Sequence, residues 1–129
     1  MLTVNQQATA ADVDLNGASR LRRLRDLNDA FRQKVPWTGK GHRLNVTSGV
    51  AALHPETLGK LLDSVRSFAD FNDDNDPHGE HDFGAIDQGD LRFFWKIDAY
   101  DQWMQFGSPD PSNPAVTTRV LTLMLADEY

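Results

Sequence analysis

Between Asn72 and Gly84 the chain reads NDDNDPHGEHDFG, five carboxylates and two histidines within thirteen residues. Side chains of those types bind divalent cations, move protons, or present negative charge to a partner. A transition metal such as zinc, manganese or iron would be held by His78, His81, Asp76 and Asp98, because a His-x-x-His spacing within a turn can converge on one ion. Calcium would use Asp74, Asp76 and His78 at the first, third and fifth positions of a loop, with Gly79 at the sixth. Ala85 at the twelfth position cannot supply the bidentate carboxylate, so the segment is not an EF-hand. General-base chemistry would use His78 or His81, oriented by Glu80 or Asp82. No serine elbow, HExxH or kinase-type set accompanies them, so no catalytic residue is assigned. The enzyme class that remains is a divalent-metal-dependent hydrolase or nuclease centred on His78, Glu80, His81 and Asp82. The competing reading is an acidic partner-binding surface made of Asp70, Asp73, Asp74, Asp76, Glu80 and Asp82, with Asp and Asn also satisfying loop donors.

The whole chain sets bounds on these readings. Its 129 residues suit one domain, and 40% hydrophobic with 25% charged content is ordinary for a globular protein. With no cysteine, disulfides, thiolate catalysis and Cys-ligated zinc are excluded. The start, MLTVNQQATAADVD, has neither a basic leader region nor an apolar run, which makes a cytoplasmic location and no membrane contact the expectation. The net charge of −6 is unevenly spread. Ser19 to Lys34 carries six basic residues against two acidic ones, whereas Asp70 to Asp90 carries eight acids and no Lys or Arg. That polarity favours a basic protein surface or a nucleic-acid-binding complex as partner and is compatible with a homo-oligomer. It disfavours direct nucleic-acid binding, for which Arg22, Arg23 and Arg25 would be the phosphate contacts.

The elements that must position the loop follow from periodicity. Residues 1–17 are polar and aperiodic and read as a flexible arm, leaving 18–129 as a single domain. Leu21, Leu24, Leu27, Phe31 and Val35 recur at helical spacing from Ser19 until Pro36. Gly39 and Gly41 fit a turn rather than a phosphate cradle, and RLNVTS alternates as a strand does. HPETLGKLLDSVRSFADF is a helix with Pro55 in its first turn and Leu58, Leu61, Leu62, Val65 and Phe68 on one face.

HDFGAID and DLRFFWKID are strand-like runs, for which Gln88-Gly89 supplies a two-residue turn. That register sets Ile86 against Leu91, Gly84 against Phe93, Asp82 against Trp95 and His81 against Lys96, with a core face of Ile86, Leu91, Phe93, Trp95 and Ile97. A lysine opposite His81 disfavours a divalent ion there. QWMQFG reads as a further strand, and the segment from Asn113-Pro114 to the end as a helix carrying Val116, Val120, Leu123, Met124 and Asp127, although its β-branched content also allows a strand. The expected fold is therefore α+β, an antiparallel sheet of about four strands packed against helices in the order α-β-α-β-β-β-α.

Several strings in order carry a family resemblance: NDAF at Asn28, SGVAAL at Ser48, DNDPHGEHDFG at Asp74, FWKID at Phe94, FGSPDP at Phe106 and LMLADEY at Leu123. From Ser19 to the C-terminus the chain resembles the small bacterial family catalogued as domain of unknown function 3768. The resemblance implies a stand-alone cytoplasmic bacterial protein often carried on mobile DNA, and it supplies no activity, cofactor or catalytic residue. The expected function is a non-catalytic acidic partner-binding protein, in concrete form a mobile-element anti-defence inhibitor of the anti-CRISPR or antirestriction kind. The residues name no cofactor.

Overall fold

The computed structural model describes residues 10–129, with side chains from Gly17 onward. Helix α1 spans Ala10–Arg32, strand β1 Arg43–Val46, helix α2 Ser48–Ala51 and helix α3 Pro55–Arg66. Strands β2 (Phe83–Gln88), β3 (Leu91–Tyr100) and β4 (Thr118–Leu125) complete the fold, with short 3₁₀ turns at Pro114–Val116 and Ala126–Glu128. The fold is α+β, as expected. The four-stranded sheet has the order β1-β4-β3-β2. It is mixed rather than purely antiparallel, because β1 runs parallel to β4.

The terminal strand corrects the expected final helix. All eight β4 residues pair with β3, four of them (Val120 to Leu123) pair with β1 as well, and six of the eight are buried; a strand covered on both faces shows no period-2 alternation. Asn113 does cap a turn, accepting from the Ala115 amide at 2.9 Å, but that turn ends after Val116. Thr117, Thr118, Val120 and Thr122 then favour extended backbone. QWMQFG is likewise no strand: β3 runs on to Tyr100 and residues 101–106 form the turn that follows it. At the other end, α1 begins at Ala10 instead of Ser19, so residues 10–17 of the expected arm are helical. Residues 1–9 of that arm lie outside the described residues.

The β2–β3 hairpin turns through Gly89 and Asp90, one position later than expected, pairing Gln88 with Leu91, Ile86 with Phe93 and Gly84 with Trp95. A turn with Gly first needs one positive φ, supplied by Gly89 at 62°, whereas Gln88-Gly89 in a type I′ turn would demand it of Gln88 as well. Because partners move by an even number of residues, the faces survive. Ile86, Phe93, Trp95 and Ile97 are buried as expected, and Leu91, at the turn, is exposed. The residue opposite Lys96 is Phe83, not His81. Lys96 Nζ instead pairs with Asp98 Oδ2 at 3.1 Å, so the electrostatic objection to an ion at His81 falls away.

The core lies on one face of the sheet, where Phe31 of α1, Val35 just beyond it, Val50, Leu61 and Val65 meet Phe93, Trp95, Ile97, Leu121 and Leu123. Gly84 makes this packing feasible. A Cβ there would run into the Trp95 indole and the tip of the Phe68 ring, so glycine admits Trp95 to full burial.

Candidate functional site

The loop before β2 is gripped by α1. Arg25, Asn28, Asp29 and Arg32 stand at i, i+3, i+4 and i+7, one face of the helix. Arg25 Nε donates to the Gly79 carbonyl at 2.7 Å, and Asn28 Nδ2 to the Glu80 carbonyl at 2.9 Å. The Asp29 carboxylate oxygens lie 2.9 and 3.0 Å from His81 Nδ1. Arg32, 2% exposed, donates to Asp29 Oδ1 at 2.8 Å and to the carbonyls of Val65 and Phe68 at 3.0 Å each. Its guanidinium also lies 5.4 Å from the Phe71 ring centre and 5.2 Å from that of Trp95. A buried cation needs this full set of acceptors and a counter-charge to be tolerated.

His81 is the junction. Its backbone is left-handed, φ 54°, a conformation uncommon outside glycine. The ring stacks on Phe71 at 3.7 Å with 2° between planes, and Nε2 faces Asp76 Oδ2 at 3.6 Å. The His81 amide donates to Asp76 Oδ1 at 3.1 Å, which explains the burial of that carboxylate at 8% exposure. Upstream, Asn72 Oδ1 accepts from the Asp74 and Asn75 amides, and Asn75 Oδ1 accepts from the Asn72 amide. The chain between Asp70 and Asp82 is thus held by its own Asx bonds at one end and by α1 at the other.

Beside this junction Glu80, Asp82 and Asp98 line a cavity of about 190 Å³, walled also by Asn28, Ile97 and Pro111. Burial, followed by the neighbouring Asp82 carboxylate, raises the Glu80 pKa, and His78 works against the shift. Burial also raises Asp82 against the pull of a hydrogen bond to its own amide, with Asp76 and Asp98 adding to the rise. Behind the cavity, buried Arg119 donates from Nε to Asn28 Oδ1 at 2.8 Å and from Nη2 to the Pro111 carbonyl. Its amide donates to His42 Nδ1 at 2.8 Å. Burial, and then the Arg119 charge, lower the His42 pKa, which favours the neutral ring that this bond requires.

The residues singled out by sequence separate into three groups. Asp70, Asp73, Asp74 and His78 are exposed, Asp76 and His81 belong to the α1 junction, and Glu80, Asp82 and Asp98 share the cavity. Among the described residues no group of three or more His, Asp or Glu side chains is arranged to hold a metal ion. Of the proposed ligand set, Asp76 and His81 are brought together, while Asp98 is engaged by Lys96. Among the described residues, Asp70, Asp73 and Asp74 form no ion pair.

The family model described as "Protein of unknown function (DUF3768)" matches residues 46–128. The chain belongs to this family. The family span takes in the acidic loop, the cavity carboxylates and all three strands after α3. It starts later than Ser19, where the sequence likeness began, and so leaves the gripping face of α1 outside it. No curated protein and no solved structure matches the chain. Among the described residues no helix is long and apolar enough to cross a membrane.

Sequence reasoning missed Asn28, Asp29, Arg32, Arg119 and His42. The first three had a signal, a polar stripe at helical spacing in a helix read only for its leucines. Arg119 and His42 had none, because their partners are 91 and 77 residues away in the chain.

Proposed function

We propose that this family member is a non-catalytic partner-binding protein that presents Asp70, Asp73 and Asp74 to a basic protein surface. One observation carries the reading: these three carboxylates are exposed and free of ion pairs among the described residues, on a segment already ordered by Asn72, Asn75 and α1. A preordered charged segment loses little conformational entropy on docking, and clustered carboxylates resemble phosphates to a nucleic-acid-binding surface. In its concrete form the protein acts in the bacterial cytoplasm as a mobile-element inhibitor of a defence complex, of the anti-CRISPR or antirestriction kind. The test is phage plating on cells with an active restriction or CRISPR system. Expression of the chain is expected to restore plating, and combined Asp70, Asp73 and Asp74→Asn to abolish the effect. Restoration by both forms alike removes the acidic-surface reading.

The cavity favours a second reading, a divalent-metal-dependent hydrolase or nuclease, because carboxyls with raised pKa values exchange protons nearer neutral pH. It expects a melting temperature raised by zinc, manganese or calcium, and turnover lost in Asp82→Asn. Identical melting with each ion and with chelator counts against it.

A further inference from the structure

We propose that the turn after β3 is an aromatic anchor, and that Trp103 and Phe106 insert into an apolar pocket on the cationic partner. For the partner's charge this rests on the acidic-surface reading above. The strand register places the relevant segments together. The end of β3 lies beside the start of β4, with Tyr100 against Thr118, and beyond the start of β2, where Phe83 pairs with Lys96. The acidic loop that enters β2 and the turn that leaves β3 therefore emerge at the same end of the sheet. Their flanks meet at the cavity, where Glu80 and Asp82 face Ala99 and Pro111.

The turn itself is rigidly built around exposed aromatic rings. Asp101 Oδ1 accepts from the amides of Trp103 and Gln105 at 3.0 and 3.1 Å, and the Asp101 amide donates to the Phe106 carbonyl at 2.8 Å. Met104 is held at φ 61°, left-handed backbone that methionine rarely adopts. This frame displays Trp103 at 69% and Phe106 at 72% exposure. Large exposed aromatic side chains on a hydrogen-bonded backbone carry the composition of interface hot spots, and that backbone loses little freedom when they dock.

Charge selects the occupant. The exposed carboxylates of the loop beside the turn complement a cationic protein face, whereas a second copy docked symmetrically through this end would set two acidic loops against each other. A basic protein face with an apolar pocket meets both features at once. Trp37, also exposed at this end of the sheet, stands on the β1 side after Lys34 and is not included in the anchor.

The test uses the full chain with a photo-crosslinking phenylalanine at position 103 or, as control, at Leu91, exposed at the opposite end of the sheet. The expected result is one cationic protein crosslinked from position 103 and not from 91. Purified, that protein binds the chain, and Trp103→Ser or Phe106→Ser weakens Kd about tenfold or more with the melting temperature and salt dependence unchanged. Adducts to nucleic acid, lipid or the chain itself, equal adducts from both positions, or no adduct overturns the proposal. So does unchanged affinity in both serine variants. If the serine variants lose binding while Asp70, Asp73 and Asp74→Asn does not, the acidic-surface reading fails and the anchor stands. The reverse pattern removes the anchor alone.

Discussion

Asp70, Asp73 and Asp74 stand in solvent, whereas Asp76, Glu80 and Asp82, a few residues on, are buried or half-buried against the fold. The two groups have the same side-chain chemistry and different surroundings. The inner carboxylates lie where β2, β3 and α1 converge, and Asp76 is committed to the His81 backbone. The outer ones cap no helix, and nothing in the fold of the described residues neutralises them. An acidic run can therefore be half scaffold and half surface, and only the exposed half is free to meet a partner.

The largest expected effect comes from breaking the grip on the inner half. Arg32→Ala leaves Asp29 without its cation and the Val65 and Phe68 carbonyls without their donor, at a cost of about 3–5 kcal/mol. Chemical denaturation measures it, and amide exchange is expected to speed up through residues 70–82. A loop equally protected in the variant contradicts the α1 grip.

Next is Gly84→Ala, whose added methyl collides with Trp95 and Phe68, for about 1–3 kcal/mol by thermal melting. This sharpens the comparison by disturbing the inner half from the sheet side while leaving Asp70, Asp73 and Asp74 in place.

A smaller effect concerns pH. The folded pKa values of Glu80 and Asp82 lie above their unfolded ones, so the fold favours the protonated forms. Their contribution is complete below the ordinary carboxylate range and is lost as pH rises through the raised values. Glu80→Gln removes one titration, so its melting temperature is expected to fall less than wild type's between about pH 4 and about pH 7. Parallel profiles refute burial of that carboxyl.

The smallest effect belongs to the outer half. Asp70, Asp73 and Asp74→Asn together are expected to shift stability by no more than about 0.5 kcal/mol while abolishing the biological effect. A large loss of stability instead makes the outer carboxylates structural and ends the distinction between the halves.

Local residue chemistry was enough to read α3, β1 and the β2–β3 hairpin, because each declares itself by short-range periodicity, Pro55 at a helix start and Gly89 at a turn. The faces of β2 and β3 were legible even with the turn misplaced by one residue, since an even displacement of partners leaves the alternation intact. The acidic loop and its histidines were equally visible as composition. Which carboxylates face water was not, because that depends on α1, some fifty residues earlier, donating from Arg25 and Asn28 to the loop backbone. β4 was decided by the same kind of distant contact: its apolar spacing fits a helix as readily as a strand, and pairing with both β1 and β3 selected the strand. Local propensity and pattern thus determined the α+β class and most of its elements. Tertiary structure alone decided the strand order and the division of the acidic loop, since hydrogen bonds and burial between distant segments leave no periodic trace in the chain.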